Sequence, residues 1–441
     1  MNNKTVLVSA GLLAPKKTDH MAARRHRYLN YGLLTLGTIL ARKGYPVQML
    51  HGGFCAPDVV AERLLRDCSQ DSPLLLLSLP SFISIPWARL FLETVKRECP
   101  TGPAGIEPSA SKFIQLDYAL DQDFPDFQPS IEVSRGCGMG CRFCEERLAP
   151  LGQIRAADDV VSAVAAAFDI YNTTSINFYF EASFFLATER WAAQLAEGSK
   201  KSGLRFAWRC ETRVDALTTP ALRRLAEAGL RVVDLGLESA SPRQLLRMKK
   251  SGNSQLYLRR ASELLRQCRD NGIWTKVNVL LYPGETPETL AETTDWLDKH
   301  RECIKGVSVA PIVVYGHGDE ARRDLEELAL LGASAVDSTS LESSGVTHLH
   351  LSPSIDYESS WALSRYLSRM FMTHRDYYDL KKFSYFSRRY TYPQFLRDMG
   401  HASQELLPFR SGPPSGDSDT DSPTATAPQR HQLASGPTTR R

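Results

Sequence analysis

Apolar residues in the first hundred positions form short runs that alternate with amphipathic stretches. The runs Lys4–Ala10, Pro46–Gly53 and Leu74–Pro80 have the length of buried strands. Between the first two runs, Leu29–Gly44 carries apolar residues at helical spacing and stops at a glycine. Because strand and helix signals alternate, we expect a parallel, doubly wound sheet at the start of the chain.

This rhythm is lost over residues 100–129, which are rich in Pro, Gly, Asp and Ser and predict a linker. The alternation then resumes and continues to Val314. Six strand and helix units in succession predict a full or partial barrel, whose chemistry is expected at the carboxyl ends of the strands. The six predicted strands are Ile131–Ser134, Ser175–Glu181, Arg205–Cys210, Arg231–Glu238, Trp274–Tyr282 and Val307–Val314.

Beyond the sixth unit, the pattern weakens from Gly316 to His350 and becomes helical and aromatic from Tyr357 to Arg397. The last 31 residues are rich in Pro, Ser, Thr and Gly and predict disorder. We therefore predict an α/β protein with five segments. They are an N-terminal sheet domain (1–104), a linker (105–128), a barrel (129–320), a mostly helical region (321–410) and a disordered tail (411–441).

Composition narrows the class of protein. An apolar fraction of 42%, a charged fraction of 23% and a net charge of +3 are ordinary for a soluble enzyme and give no reason to expect a nucleic-acid partner. We find neither an apolar run of membrane-spanning length nor a convincing signal peptide. Of the nine cysteines, six are scattered and three are clustered, which favours a metal site in a reducing cytoplasm over disulfides.

The clustered cysteines lie in SRGCGMGCRFCEE, which directly follows the first predicted strand of the barrel. Cys137, Cys141 and Cys144 have the spacing C-x3-C-x2-C, and three glycines flank the first two of these cysteines. Three thiolates so close in sequence can wrap one small iron–sulfur cluster, while ferredoxin-type clusters need four. One iron is therefore expected to stay open for another ligand. A zinc knuckle with a distant fourth ligand, or plain buried thiols, are the alternatives.

This motif resembles that of the radical S-adenosylmethionine (SAM) superfamily, and the resemblance extends over about Ile131–Val314. It implies a 4Fe–4S cluster on the three cysteines, with SAM bound to the open iron and cleaved to a 5′-deoxyadenosyl radical. It also implies a one-electron donor such as flavodoxin or ferredoxin. The aromatic residue before the third cysteine is Phe143, which is expected near the adenine.

The same resemblance implies SAM contacts at later strand ends. Glu181 follows the second strand, where relatives bind the amino group, although they often have an acidic pair there. Arg213, Glu238 and Ser239 match positions that contact the carboxylate and ribose. A guanidinium suits a carboxylate. An ordinary strand end and a structural salt bridge are the competing interpretations, and no catalytic residue beyond the cluster is assigned.

Three further features have structural interpretations. In LLYPGETPET, Thr286 is expected to cap a helix that begins at Pro287. The stretch MKKSGN (248–253) predicts a solvated basic turn. His51 follows the second strand and precedes two glycines, and we expect a loop histidine without a metal rather than a cobalt ligand.

The first domain resembles the cobalamin-binding, Rossmann-like domain of one radical SAM subclass, which mostly uses methylcobalamin to methylate its substrates. The matching stretches are Asn30–Gly53 and Leu74–Pro100. The Asp-x-His-x-x-Gly ligand motif is missing, and only a short stretch, Thr101–Phe127, separates the third helix from the barrel. The sheet is therefore expected to be truncated, with either a corrinoid site or a purely supporting role.

Three functions follow. The first is cobalamin-dependent radical SAM methylation of a small molecule. The second is a radical SAM reaction without cobalamin: hydrogen abstraction, rearrangement or transfer of another part of SAM. The third is a non-enzymatic zinc or iron–sulfur protein that binds a partner through the helices of Tyr357–Arg397, which could equally form a lid. A methylthiotransferase is disfavoured, because Cys55, Cys68 and Cys99 are too far apart to form a second triad.

Overall fold

The computed structural model describes residues 4–15, 20–67, 74–98 and 113–410. The predicted tail, 411–441, lies outside the described residues, as do Cys68, Cys99 and the linker up to residue 112. No helix in the described part of the chain is long and apolar enough to cross a membrane.

A three-stranded parallel sheet opens the chain, as the alternating pattern predicted. Its strand order is β2-β1-β3, with the buried central strand paired in register to both neighbours. The second helix begins where the Asn30 side chain accepts a hydrogen bond from the Leu33 amide. The strands are β1 (Thr5–Ser9), β2 (Val47–His51) and β3 (Leu74–Ser78), and the helices are α1 (Met21–Arg24), α2 (Tyr31–Arg42), α3 (Pro57–Asp67) and α4 (Ile85–Glu98).

The second domain is an open sheet of six parallel strands in sequential order, with β4 and β9 at its edges. Its strands are β4 (Ser130–Glu132), β5 (Asn177–Glu181), β6 (Ala207–Arg213), β7 (Leu230–Glu238), β8 (Trp274–Leu281) and β9 (Gly306–Pro311). The accompanying helices are α5 (Ala157–Tyr171), α6 (Glu189–Lys201), α7 (Thr219–Glu227), α8 (Pro242–Arg247), α9 (Ser254–Asp270) and α10 (Pro287–Lys299). The predicted helix start at Pro287 is confirmed, because Thr286 and Thr289 form a reciprocal capping box.

Alternate residues of these strands point to opposite faces of the sheet. In β6, Trp208 and Cys210 are completely buried in the apolar core with the helices, whereas Arg209, Glu211 and Arg213 lie on the other face. We call this second face the polar face. Its residues include Tyr179, Glu181, Arg209, Glu211, Arg213, Asp234, Glu238, Lys276 and Asn278.

A small antiparallel sheet lies among the helices of the region after the six-stranded sheet. The predicted strand Val307–Val314 ends at Pro311, and the chain then enters this sheet, whose order is β10-β12-β11. Its strands are two to five residues long, which is too short for a periodic pattern in the sequence to predict them. The strands are β10 (Val313–Tyr315), β11 (Ser334–Ala335) and β12 (Val346–His350), and the helices are α11 (Asp319–Ala329), α12 (Ser340–Ser343), α13 (Tyr357–Phe371), α14 (His374–Lys382) and α15 (Tyr392–Gly400).

The aromatic C-terminal helices pack on the protein itself. Tyr377, Phe386 and Phe395 belong to a buried aromatic cluster. The fully buried Arg209 donates to the Leu380 carbonyl at 2.7 Å and forms an ion pair with Asp234, which links α14 to the polar face. A buried guanidinium needs such partners, because an unpaired one would be strongly destabilising. These contacts give most of the aromatic side chains a structural role and weaken the hypothesis of a partner-binding surface.

Candidate iron–sulfur and SAM site

The loop after β4 carries the three clustered cysteines. Gly136, Gly138 and Gly140 have φ angles of +71°, +65° and +71°, a conformation that other residues rarely adopt. A Cβ atom on Gly136 would lie 2.1 Å from the Pro150 carbonyl oxygen. The loop is closed by a hydrogen bond of 2.9 Å from the Cys137 amide to the Ala149 carbonyl. Alternating left-handed residues turn successive amides toward one side, which favours an anionic group such as a thiolate-bound cluster.

All three cysteines of this loop are free thiols, and they differ in exposure. Cys141 is buried, whereas Cys137 and Cys144 are partly exposed. Burial raises the pKa of the Cys141 thiol, and the nearby charges of Lys250 and Arg213 partly offset this rise. Burial also raises the pKa of Cys144. Iron binding removes the thiol protons, so the adjacent cations stabilise the state that binds iron.

The donor set of this loop fits an iron–sulfur cluster. Its three cysteines are free thiols, and thiolates are the usual protein ligands of such clusters. The positive charges of Lys250 and Arg213 beside Cys141 would compensate part of the negative charge of a thiolate-bound cluster.

Arg213, at the end of β6, lies beside the cluster loop. Its Nη1 is 3.7 Å from the Cys141 sulfur, and its Nε donates to Asp215 Oδ1 at 2.9 Å. Nη2 donates to the Lys250 carbonyl at 2.9 Å. The structure thus places this guanidinium next to a cluster ligand, held by a carboxylate on its far side. Its predicted role as a clamp for the SAM carboxylate stays a prediction.

Glu238 is the last residue of β7 and lies on the same polar face as Arg213. Its φ is positive, at 65°. Its carboxylate forms an ion pair with the Lys250 ammonium at 3.0 Å. The same ammonium lies 5.6 Å from the centre of the Phe143 ring. Lys250 is only 6% exposed, so the prediction of a solvated basic turn was wrong for this residue. Its neighbour Lys249 is exposed as expected. The carboxylate of Glu238 compensates the buried charge, which a sequence pattern could not reveal.

The other two predicted SAM contacts have different surroundings. Glu181 ends β5, and burial, together with the nearby carboxylates Glu211 and Glu132, raises its pKa to about 7. Ser239 is 1% exposed, and its hydroxyl lies 3.0 Å from the Thr293 hydroxyl and accepts from the Ser241 amide. The structure brings Phe143, Arg213 and Glu238 next to the cysteine loop, while the hydroxyl of Ser239 is already engaged in hydrogen bonds.

Glu211 is a residue of this face that the sequence analysis missed. It lies deep in the protein and yet keeps accessible surface, so it faces an internal space. Its hydrogen-bond partner is Asn278, at 3.3 Å. Burial raises its pKa, and the carboxylate of Asp234 adds to the rise. The sequence contains a signal for Glu211: in RCETR (residues 209–213), every second residue of an otherwise buried strand is charged.

A cavity of about 460 Å³ lies where the N-terminal sheet meets the six-stranded sheet and α13. We call it the junction cavity. The carboxyl ends of β1, β2 and β3 form one wall, through Ser9–Leu12, His51 and Gly53. His51 Nε2 lies 2.6 Å from the Tyr28 carbonyl, and burial lowers the pKa of its ring to about 4. His51, the last residue of β2, therefore has a protein partner for one of its ring nitrogens.

Comparison with known proteins agrees with this architecture. Residues 131–297 match the family model of the radical SAM superfamily, and the chain therefore contains a radical SAM domain. A search of curated proteins found no match.

Three solved structures were compared. The radical SAM methyltransferase TsrM from Kitasatospora setae, with tryptophan and a SAM analogue bound, is 16% identical with a TM-score of 0.56, covering 76% of this chain and 79% of TsrM. Its form with cobalamin and a [4Fe–4S] cluster is 16% identical with a TM-score of 0.55, covering 77% and 81%. The cobalamin-dependent radical SAM enzyme OxsB is 14% identical with a TM-score of 0.48, covering 67% and 52%. At these identities, the likeness to TsrM establishes the fold.

The loop geometry generates a direct prediction. Gly136→Ala should abolish iron loading, because the new methyl group clashes with the Pro150 carbonyl and the residue must keep a positive φ. Gly252→Ala is the control, since its Cβ would meet open space. Iron and sulfide content after anaerobic reconstitution is the measurement, and a full cluster in the Gly136→Ala variant would contradict the role of this glycine.

Proposed function

We propose that this protein is a radical SAM enzyme that cleaves SAM at a 4Fe–4S cluster and modifies a small-molecule substrate. The observation that carries the proposal is the left-handed glycine loop that presents Cys137, Cys141 and Cys144 beside two buried cations. Such a loop supplies three thiolates to a cluster that needs four ligands, which leaves one iron for SAM. When bound, the cluster supplies the electron that breaks a carbon–sulfur bond of SAM.

The protein's own residues bind and shield the reacting group. Arg213 and Lys250 place positive charge beside Cys141, which stabilises the thiolate and attracts the carboxylate of SAM. Phe143 lies under the Lys250 ammonium and offers an apolar surface for the adenine. Glu181 is the candidate acceptor for the amino group, because a carboxylate at this strand end can accept hydrogen bonds from its N–H groups.

An external electron donor completes the proposal. The described residues contain the ligands of one cluster loop, so the electron is proposed to come from a flavodoxin or ferredoxin. Such a protein and a reduced cluster both fit a reducing compartment, and the described cysteines are all free thiols. We therefore propose a cytoplasmic location.

The cluster ligands are tested by substitution. Cys141→Ala should lose most of the iron and all reductive SAM cleavage, because two thiolates cannot hold the cluster with one iron open. Cys55→Ala, an exposed cysteine outside the loop, should keep about four irons per chain. Formation of 5′-deoxyadenosine with dithionite as reductant is the readout. Undiminished cleavage by the Cys141→Ala variant would refute the proposal.

Cobalamin-dependent methylation was the first reaction predicted from the sequence, and the junction cavity lies where a corrinoid would have to bind. Its position fits, because ligands bind at the carboxyl ends of parallel strands. Its size does not fit, since about 460 Å³ suits a drug-sized molecule and a corrinoid with its nucleotide tail is much larger. His51 also has a protein partner. The cavity among the described residues thus favours radical chemistry without cobalamin.

Reconstitution with hydroxocobalamin tests whether the protein uses cobalamin for methylation or performs radical chemistry without it. We expect no corrin absorbance to remain with the protein after desalting, because the cavity would have to widen to admit the ring. The cluster absorbance of the same sample shows that the protein is folded and loaded. Retention of about one corrinoid per chain would restore methylation with cobalamin as the favoured reaction.

A further inference from the structure

The wall of the junction cavity includes cationic side chains but no acidic side chain among the described residues. Among the described residues that form its wall, none is Asp or Glu, whereas Lys276, Arg365 and Lys381 all contribute. Lys276 already has an ion pair with Asp234 at 3.2 Å, and Lys381 lies over the ring of Tyr385. Most of the remaining wall is apolar or aromatic, including Tyr28 and Met372. A wall with cationic side chains and no acidic one favours an anionic ligand over a cationic one.

One face of α13 forms the wall opposite the N-terminal sheet. Trp361, Ser364, Arg365 and Ser368 lie on this face at helical spacing. The two serines fix the helix to β9, because Ser364 donates to the Val309 carbonyl at 2.7 Å and Ser368 accepts from the Val309 amide at 3.1 Å. The helix is therefore held rigidly, and its two larger side chains are positioned in the wall of the cavity.

These two side chains have hydrogen-bonding groups without partners. Trp361 Nε1 and Arg365 Nε are both buried, and neither has a hydrogen-bond acceptor in the described part of the protein. Two further groups of the cavity wall share this state, the Ser84 hydroxyl and His26 Nε2. Leaving a buried donor unpaired costs about 1–3 kcal/mol, so native proteins rarely do so without a ligand or a water. The four atoms belong to residues of one cavity wall, so a polar ligand bound there could supply partners that the described protein lacks.

We infer that the junction cavity binds the substrate of the enzyme, a small molecule with an apolar, flat body and one carboxylate, which Arg365 and Trp361 hold. The guanidinium and the indole N–H supply two donors to the acid. The apolar wall covers the rest of a drug-sized molecule. Lys276 and Ser308, the third residues of β8 and β9, line the cavity, so it reaches the six-stranded sheet on the amino-terminal half of these two strands. That the bound acid is the substrate rests on the proposed function, whereas the acid site itself does not.

The acid site can be tested with a matched pair of probes, 1-naphthaleneacetate and its neutral amide, 1-naphthaleneacetamide. Binding to the anaerobically reconstituted protein is measured by calorimetry, without SAM or reductant. We expect the acid to bind about tenfold more tightly than the amide, which is the effect of one hydrogen bond to a charged group. Arg365→Gln should remove this preference. Trp361→Phe, which keeps an aromatic ring and loses the N–H, should weaken binding of the acid.

The matched control is Arg369→Gln, one turn further along α13 and outside the cavity wall, which should keep the preference. Thermal unfolding of each variant shows that it is folded. Equal binding of acid and amide, no binding of either at millimolar concentration, or an unchanged preference in Arg365→Gln would overturn the inference. Displacement of the acid by hydroxocobalamin would assign the cavity to a corrinoid and also overturn it. Because binding is measured without SAM cleavage, failure of the cluster chemistry would leave this result interpretable.

Discussion

Three thiols within one short loop can bind a cluster only if the chain reverses direction between them. The left-handed glycines of the loop permit this reversal, and the one at Gly136 has no room for any side chain. Hydrogen bonds from the Cys137 amide to the Ala149 carbonyl and from the Gly152 amide to the Arg135 carbonyl then hold the loop in place. Every other part of the candidate site depends on this geometry, because Arg213, Lys250 and Phe143 acquire a function only beside a cluster.

Charge compensation is the second constraint. The polar face of the six-stranded sheet carries many ionisable side chains that are removed from bulk water, and several of its carboxylates are paired. Asp234 is paired with Arg209 and Lys276, and Glu238 with Lys250. Such pairs contribute little net stability but leave no charge uncompensated. Glu181 and Glu211 stand apart, since no ion pair of either is found in the described residues and burial raises the pKa of both.

Much of this could be predicted from sequence because it rests on local signals. Strand and helix alternation predicted both parallel sheets, and the position of the three cysteines directly after a predicted strand placed them in the loop that follows β4. The partners of the site could not be predicted in the same way. Lys250 looks like a solvated lysine in its turn, and only the fold brings Glu238 to it from twelve residues away. The junction cavity is formed by segments more than 300 residues apart, so no pattern within one segment could reveal it.

The central claim is that one iron of the cluster stays open and binds SAM through its amino and carboxylate groups. Electron–nuclear double resonance on the reduced, reconstituted protein tests it most directly, with SAM that carries ¹⁵N in its amino group. We expect a ¹⁵N coupling to the cluster and a changed electron paramagnetic resonance spectrum when SAM is added. A reduced cluster whose spectrum is unaffected by SAM, with no ¹⁵N coupling, would contradict it.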